Sequence, residues 1–365
     1  MRILYLAPFT SREDHLDSGV VGYGETSGNA LVRELRLLGH AVRTVPTRPP
    51  ATTKVGHAIQ TYEELSTLDL KSFDALFMYN THHQFAAEVR RLLYETGATG
   101  TLLTGYTHGS HWDPSDQIRH AYPMLKFADL GNVMAFDVVF LVSHYMLDVV
   151  SRTLTAELGP KVATEFAKRA RVVGGTIDTD RLEAARTDKD EVPAIVFNHS
   201  PTAAKRPEVF FRRIPEVLDA HPDVTLTVTR KFYSDNPGFT ELQQVIKHFP
   251  GRVTLGETMQ TDAYFTRLWR SHLQVSTASH ESFGVSTVEA IYAGCCAVLP
   301  THGCYAEVTG DSGIYHRDED MAERLNTYLS DPMATERTVR DQQRAIRRYY
   351  PSDVAARITA AIASP

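Results

Sequence analysis

Cysteine is scarce in this chain: three among 365 residues, at positions 295, 296 and 304. Two of them are adjacent and no framework spacing appears, so a disulfide scaffold is not expected and a reducing cytoplasm is the expected setting. No apolar run approaches the roughly 18 residues needed to cross a bilayer, which argues against an integral membrane segment. The opening residues MRILYLAPFTSRED lack a basic region ahead of a long apolar core. They read as a first strand and not as a signal peptide. A basic excess is missing too: 38 Lys and Arg against 44 Asp and Glu leave a net charge of −6. That argues against broad, non-specific nucleic-acid binding, although a local basic groove can lie beneath an acidic average. Low-complexity tracts and short repeats are also absent.

What is present is an ordinary globular composition, 42% hydrophobic and 22% charged, at a length that suits two medium domains. Apolar strands alternate with amphipathic helices: RILYLAP, GNALVRELRLLGHAV, AVRTVP, FDALFMYN, FAAEVRRLLYETG, GTLLTGYTH and DVVFLVS. The pattern pauses around RVVGGTIDTDRL and the polar stretch TDKDEVP, then resumes with AIVFNHS, PEVFFRRIPEVLDAHP, VTLTVTR, FTELQQVIKHF, RVTLGE, DAYFTRLWRSH, LQVSTAS, VSTVEAIYAG and CCAVLP. Fully apolar strands separated by such helices predict parallel sheets covered on both faces. Two doubly wound α/β domains follow, 1–175 and 192–340, joined by a linker at 176–191. Ligands in such sheets bind beyond the strand C-terminal ends, near helix N-termini.

The loops at those ends are unusual. The stretch His280–Pro300, HESFGVSTVEAIYAGCCAVLP, puts Glu281 and Glu289 on two sides of a turn and helix start. Gly284 permits the tight turn, Ser286 or Thr287 offers a cap, and Gly294 ends the helix. Backbone amides at Phe283, Gly284 and Val285 would then hold an anion with help from the helix dipole. A nucleotide sugar, a diphosphate with hydroxyls on both sides, would use the two glutamates and the amides together. Among 44 acidic residues the spacing alone means little, so the apolar and glycine context carries the reading. In FNHSPTAAKRPEVFF a strand ends at Asn198 and Lys205–Arg206 stand just before a helix, where cations would neutralise a leaving diphosphate. The loop DSGVVGYGETSGN sets Gly22 and Gly24 ahead of a helix, and GYTHGSHW puts His108 directly after a strand, with His111 and Trp112 following. His82, His83, His108 and His111 suggest zinc, but no cysteine or second-domain ligand completes a set, and no metal is expected. The triplets DTD (178–180) and DED (318–320) read as solvated turns.

The run 251–313, with RVTLGE, STASHESFGVSTVEAIYAGCCAVLP and YAEVTGDSGIY, resembles the donor-binding half of the family 4 glycosyltransferases, a retaining group. The resemblance implies the GT-B fold: two Rossmann-like doubly wound domains facing a central cleft, with a C-terminal helix crossing back to the N-domain. The tail RRYYPSDVAARITAAI, within 341–365, would be that helix. By matching position Glu281 would contact donor-sugar hydroxyls and Glu289 the ribose, with Glu307 at a further acidic position. The family's arginine after the donor-domain strand is replaced by His199, while its lysine six residues later is kept as Lys205. Arg206 or Arg230 would supply the missing charge. Gly22 and Gly24 fall at the family's glycine-rich loop, and His108 at a histidine near the sugar's reacting face. The resemblance spans nearly the whole chain, specific in the second half and loose in the first.

It implies a retaining, metal-independent transfer of a hexose from a UDP- or GDP-sugar to a hydroxyl. The nucleotide-diphosphate sugar is a co-substrate and no cofactor is needed. FNHS, KRPEVFF and YAGCCAVLP resemble the queuosine-tRNA mannosyltransferases, and virus-encoded transferases acting on hydroxymethylated DNA bases share the fold. A hydroxylated base in tRNA or DNA is therefore one expected acceptor, with Arg90, Arg91, Lys161, Lys168, Arg169 and Arg171 as a phosphate-tracking surface. A lipid acceptor would need a basic amphipathic face, for which the helix around Arg33 and Arg36 is a modest candidate; small metabolites and glycans are further acceptor classes. A nucleotide-sugar epimerase and a non-catalytic sugar-nucleotide sensor are alternatives on the same fold.

Overall fold

The computed structural model of the chain describes residues 1–6, 23–45, 64–79, 86–107, 125–256 and 259–365. They divide into two units, one of Met1–Asp178 with Tyr349–Pro365 and one of Thr179–Arg348. The division falls inside the stretch read as a linker, and the helix Thr179–Ala184 fills part of it. Leu182 of that helix is buried, and its carbonyl accepts the Trp269 indole N–H at 2.7 Å.

In the first unit β1 (Arg2–Leu6), β2 (Ala41–Val45), β3 (Ala75–Met78), β4 (Leu102–Thr107), β5 (Val138–Leu141) and β6 (Ala170–Val172) form one sheet. Their order is β2-β1-β3-β4-β5-β6 and every pair is parallel. Strands β3 (ALFM) and β5 (VVFL) are buried at every position, as a sheet covered on both faces requires. Sequence pattern gives no element between β5 and β6, where the structure has the helices His144–Leu158 and Pro160–Arg169. The local signals are there: Ser143 Oγ accepts the Met146 N–H at 3.1 Å, Gly159 ends the first helix and Pro160 starts the second. The tail returns to this unit. Helix Pro351–Ala363 packs on Tyr23–Leu37, and Arg357 Nε donates to the Val173 carbonyl at 2.8 Å. The returning helix begins at Pro351, after the turn Arg347–Tyr349, and not at 341.

Gly105 of β4 lies against Phe136, whose ring atoms would be 2.4–2.7 Å from an added Cβ. Gly105→Ala is expected to destabilise the protein by about 1–3 kcal/mol, since a buried ring cannot retreat without disturbing its neighbours. The check is the urea midpoint; no change would mean that Phe136 has room to move.

In the second unit β7 (Ala194–Phe197), β8 (Thr225–Val228), β9 (Val253–Leu255), β10 (Leu273–Val275), β11 (Cys296–Pro300) and β12 (Ile314–His316) form another all-parallel sheet. The order is β12-β11-β10-β7-β8-β9. The chain winds outward from β7 to β9, then returns and winds the other way from β10 to β12. The reversal lies between β7 and β10, and ligands of such sheets bind beyond the strand ends at that point. Phe197 of β7 stacks on Phe210 at 4.6 Å within an apolar core that also holds Phe211, Ile214 and Val275. The three cysteines are free and buried in this unit.

Candidate functional site

The loop after β7 and the turn after β10 meet at the reversal. Ser279 N–H donates to the Ala204 carbonyl at 2.9 Å, and Thr277 Oγ1 to the Lys205 carbonyl at 2.9 Å. This joins Lys205, on the 3-10 turn Ala203–Lys205, to Glu281: Nζ to Oε2 is 2.6 Å. The two side chains are 19% and 13% exposed, so the pair is mostly shielded from water. Burial works to raise the Glu281 carboxyl, but the attraction of Lys205 and its hydrogen bond prevail and hold it below the usual carboxylate range. Glu281 is therefore an anion at neutral pH.

Helix Val285–Tyr292 begins at Gly284, which sits in the left-handed region (φ 80°), where only glycine is unstrained. The expected side-chain cap is not formed, because Ser286 lies inside the first turn and its Oγ is 3.3 Å from His199 Nδ1. The Thr287 and Val288 amides already bond to the Gly284 carbonyl. The amides that helix geometry leaves for an anion are thus those of Val285 and Ser286. Phe283, expected to contribute an amide, precedes the cap and is 2% exposed.

Behind the turn lies a buried polar network. Asn198 Nδ2 donates to the Tyr264 hydroxyl at 3.1 Å and to the Ser286 carbonyl at 2.8 Å. The Tyr264 hydroxyl in turn donates to Glu289 Oε2 at 2.9 Å. Gln274 Nε2 donates to His199 Nε2 at 3.1 Å, which puts the imidazole proton on Nδ1, toward Ser286. Burial, reinforced by the charges of Lys205 and Arg230 and opposed by Glu281, pushes His199 down to about 3. His199 is neutral. It stands where a diphosphate-binding cation was expected, yet it brings no charge.

This neutrality has a pH signature. An unfolded histidine takes up a proton as pH falls through about 6.5, whereas folded His199 waits until about 3. Stability linked to it is complete above the unfolded value and is lost progressively as pH falls across that window. His199→Asn, which keeps a donor toward Ser286, is expected to flatten the decline in melting temperature between about pH 6.5 and 5. Parallel wild-type and variant curves would contradict the assignment.

The other expected residues fall in different places. Arg206, in the left-handed conformation at φ 48°, pairs with Asp318. The DED triplet is therefore not simply a solvated turn, since Asp318 is an ion-pair partner. Arg230 lies with its guanidinium 5.9 Å from the centre of the Tyr264 ring, beside the network. Gly24 does not precede a helix: Tyr23–Leu37 begins earlier than its apolar pattern and encloses it in the first turn. Gly22, His82, His83, His108, His111 and Trp112 lie outside the described residues. Asp178 of the DTD triplet is fully buried and pairs with Arg33 at 2.5 Å, so Arg33 is not available for a membrane face. Three arginines of the first-unit basic surface are engaged as well. Arg90 donates to the Ala135 carbonyl, Arg169 to the Met134 and Phe136 carbonyls, and Arg171 to the Lys168 and Ala170 carbonyls. Arg91 pairs with Glu88 and Glu95, and Lys168 with Glu165.

Tyr264 and Gln274 are site neighbours that the pattern did not single out. Tyr264 fits the apolar face of its amphipathic helix, and only the need of a buried phenol for a partner hints at more.

No family model matches the chain. The tRNA-queuosine alpha-mannosyltransferase of Drosophila melanogaster is 22% identical over 245 residues, 63% of this chain and 64% of the fly protein's length. The chain thus spans under two thirds of that relative. Among solved structures, sucrose-phosphate synthase of Thermosynechococcus elongatus superposes with a TM-score of 0.70 at 11% identity, covering 99% of this chain and 98% of the other. Anabaena HepE, solved with UDP and glucose, gives a TM-score of 0.66 at 14% identity over the whole of both chains. The fold is the GT-B fold.

Proposed function

We propose that this GT-B chain is a retaining glycosyltransferase that moves a hexose from a nucleoside-diphosphate sugar to a hydroxyl, and that the hydroxyl belongs to a modified base of tRNA. The observation that carries the reading is the meeting of Lys205, Glu281 and the start of helix Val285–Tyr292 at the sheet reversal. A cation, a sugar-binding carboxylate and free helix-end amides are the parts a departing diphosphate ester needs.

In the proposed reaction the bond between the anomeric carbon and the diphosphate breaks, and a new bond forms from that carbon to the acceptor oxygen. The acceptor proton passes to the leaving phosphate. Negative charge grows on that phosphate as the sugar becomes oxocarbenium-like. Groups that meet the growing charge lower the barrier because it is larger in the transition state than in the bound donor. Lys205 and the Val285 and Ser286 amides have that role. Glu281 holds the sugar hydroxyls, Glu289 the ribose, and Arg230 supplies the charge that neutral His199 does not.

The tRNA acceptor is supported by the fly relative, whose name gives that substrate. A uridine donor is supported by HepE, a protein of this fold seen with UDP and glucose; a guanosine donor is tested beside it. The test is thermal unfolding with UDP, GDP, ADP, dTDP and their sugars. A ligand at about 100 times its Kd adds roughly 2.7 kcal/mol, a rise of a few degrees at this size. One nucleotide family is expected to raise the midpoint, and its sugar to be transferred to tRNA and not converted when supplied alone. Conversion to an epimer without acceptor would replace this reading with an isomerase; no shift with any nucleotide would remove it.

A further inference from the structure

The second unit carries a charged surface that the transfer chemistry leaves unused. Helix Pro332–Ile346 and the turn Arg347–Tyr349 hold Arg337, Arg340, Arg344, Arg347 and Arg348, all exposed. The helix is anchored by its opposite face, where Gln342 is fully buried and exchanges two hydrogen bonds of 2.9 Å with the Ala297 backbone. At about 100° per residue, Arg337, Arg340 and Arg344 lie opposite Gln342, and the next two arginines continue the line. Glu336 and Asp341 fall at its edges. They pair with Arg340 at 3.7 Å and Arg344 at 3.2 Å, exposed contacts within one turn that cost little to open. Toward the end of the line Arg344 and Arg348 rim an open depression of about 540 Å³ that also includes Asp311 and Ser312.

We infer that this arginine face binds the phosphate backbone of a structured RNA. The inference rests on the RNA acceptor proposed above. Arg337, Arg340, Arg344 and Arg347, spread along about 15 Å of helix axis, can reach several successive phosphates of one strand, whose charge dominates nucleic-acid affinity. Guanidinium groups suit phosphate because their planar donors bond two oxygens at once. The net charge of −6 makes a cluster of this sign a local feature and not a consequence of composition. An anionic membrane is the weaker fit. An interfacial helix needs an apolar face to bury in lipid, and here the apolar side packs inward around Ile346, leaving Met333 as the one large exposed hydrophobe among the described residues of this helix.

The test uses the full chain and fluorescently labelled total tRNA, with anisotropy followed from low to moderate salt. The variant is R337Q/R340Q/R344Q/R347Q; Arg348 is kept because it bonds the Glu307 carbonyl. Relative to wild type, the variant is expected to bind tRNA at least about ten-fold more weakly at low salt, with a slope of log Kd on log salt shallower by about 2–4. Its melting temperature and its shift with donor nucleotide should be unchanged. Equal affinity and slope in the two proteins would overturn the inference. So would a wild type that ignores tRNA but sediments with phosphatidylserine vesicles through these arginines. A donor shift without tRNA binding would remove the inference and leave the transferase; arginine-dependent tRNA binding without any donor shift would do the reverse.

Discussion

Lys205→Ala is expected to lower kcat by about 10²- to 10³-fold, the usual cost of removing one fixed charge partner from a developing oxyanion. The structure raises a competing effect that has to be separated from this one. Lys205 already pairs with Glu281 at 2.6 Å, and both side chains are mostly shielded. Removing the cation leaves a carboxylate whose burial has lost its main opposition, so the Glu281 carboxyl rises and the protein loses stability. Loss of activity could then be partial unfolding. Two measurements distinguish them. Kinetics well below the variant's melting temperature remove the stability contribution. Lys205→Arg restores a cation, so it should recover stability better than turnover, because the guanidinium cannot occupy the same point. A kcat within about three-fold of wild type for Lys205→Ala would mean that Lys205 serves only to neutralise Glu281.

Much of the second sheet is legible in the sequence, since runs such as AIVF and CAVLP are buried at every position and have no other stable home. The missed strands β6 and β12 are three residues each and stand at sheet edges, each held by the ladder of one neighbouring strand. The site divides in the same way. That Lys205 and Glu281 follow strands is readable; that they touch depends on β7 and β10 being neighbours, which no local pattern states. His199 looks like a cation substitute until its burial and the charge of Lys205 are known. Arg169 looks like a free surface charge until the Met134 and Phe136 carbonyls are found beside it. Asp178 looks like a turn residue for want of Arg33. In each case sequence supplies the chemical group, and tertiary contact decides whether its charge is spent.

Glu289→Ala is expected to weaken nucleotide binding by about 10- to 100-fold, the 1.5–3 kcal/mol that hydrogen bonds to a charged group contribute. The expectation is sharper than that of a generic buried glutamate. Glu289 is 9% exposed, and Oε2 is held by the Tyr264 hydroxyl, itself held by Asn198. The carboxylate is thus oriented before any ligand arrives, so little rotamer freedom remains to be lost on binding. The role assigned to it, accepting from a ribose hydroxyl, makes a discriminating comparison possible. Wild type should prefer the ribonucleoside diphosphate over its 2′,3′-dideoxy form by about the factor lost in the variant, and Glu289→Ala should bind both alike. Tyr264→Phe keeps the ring and removes only the orienting hydrogen bond, so it should lose a smaller part of the same preference. If Glu289→Ala weakens both ligands equally and keeps the preference, the carboxylate acts by holding Tyr264 and Asn198 in place, and the ribose contact belongs to another group.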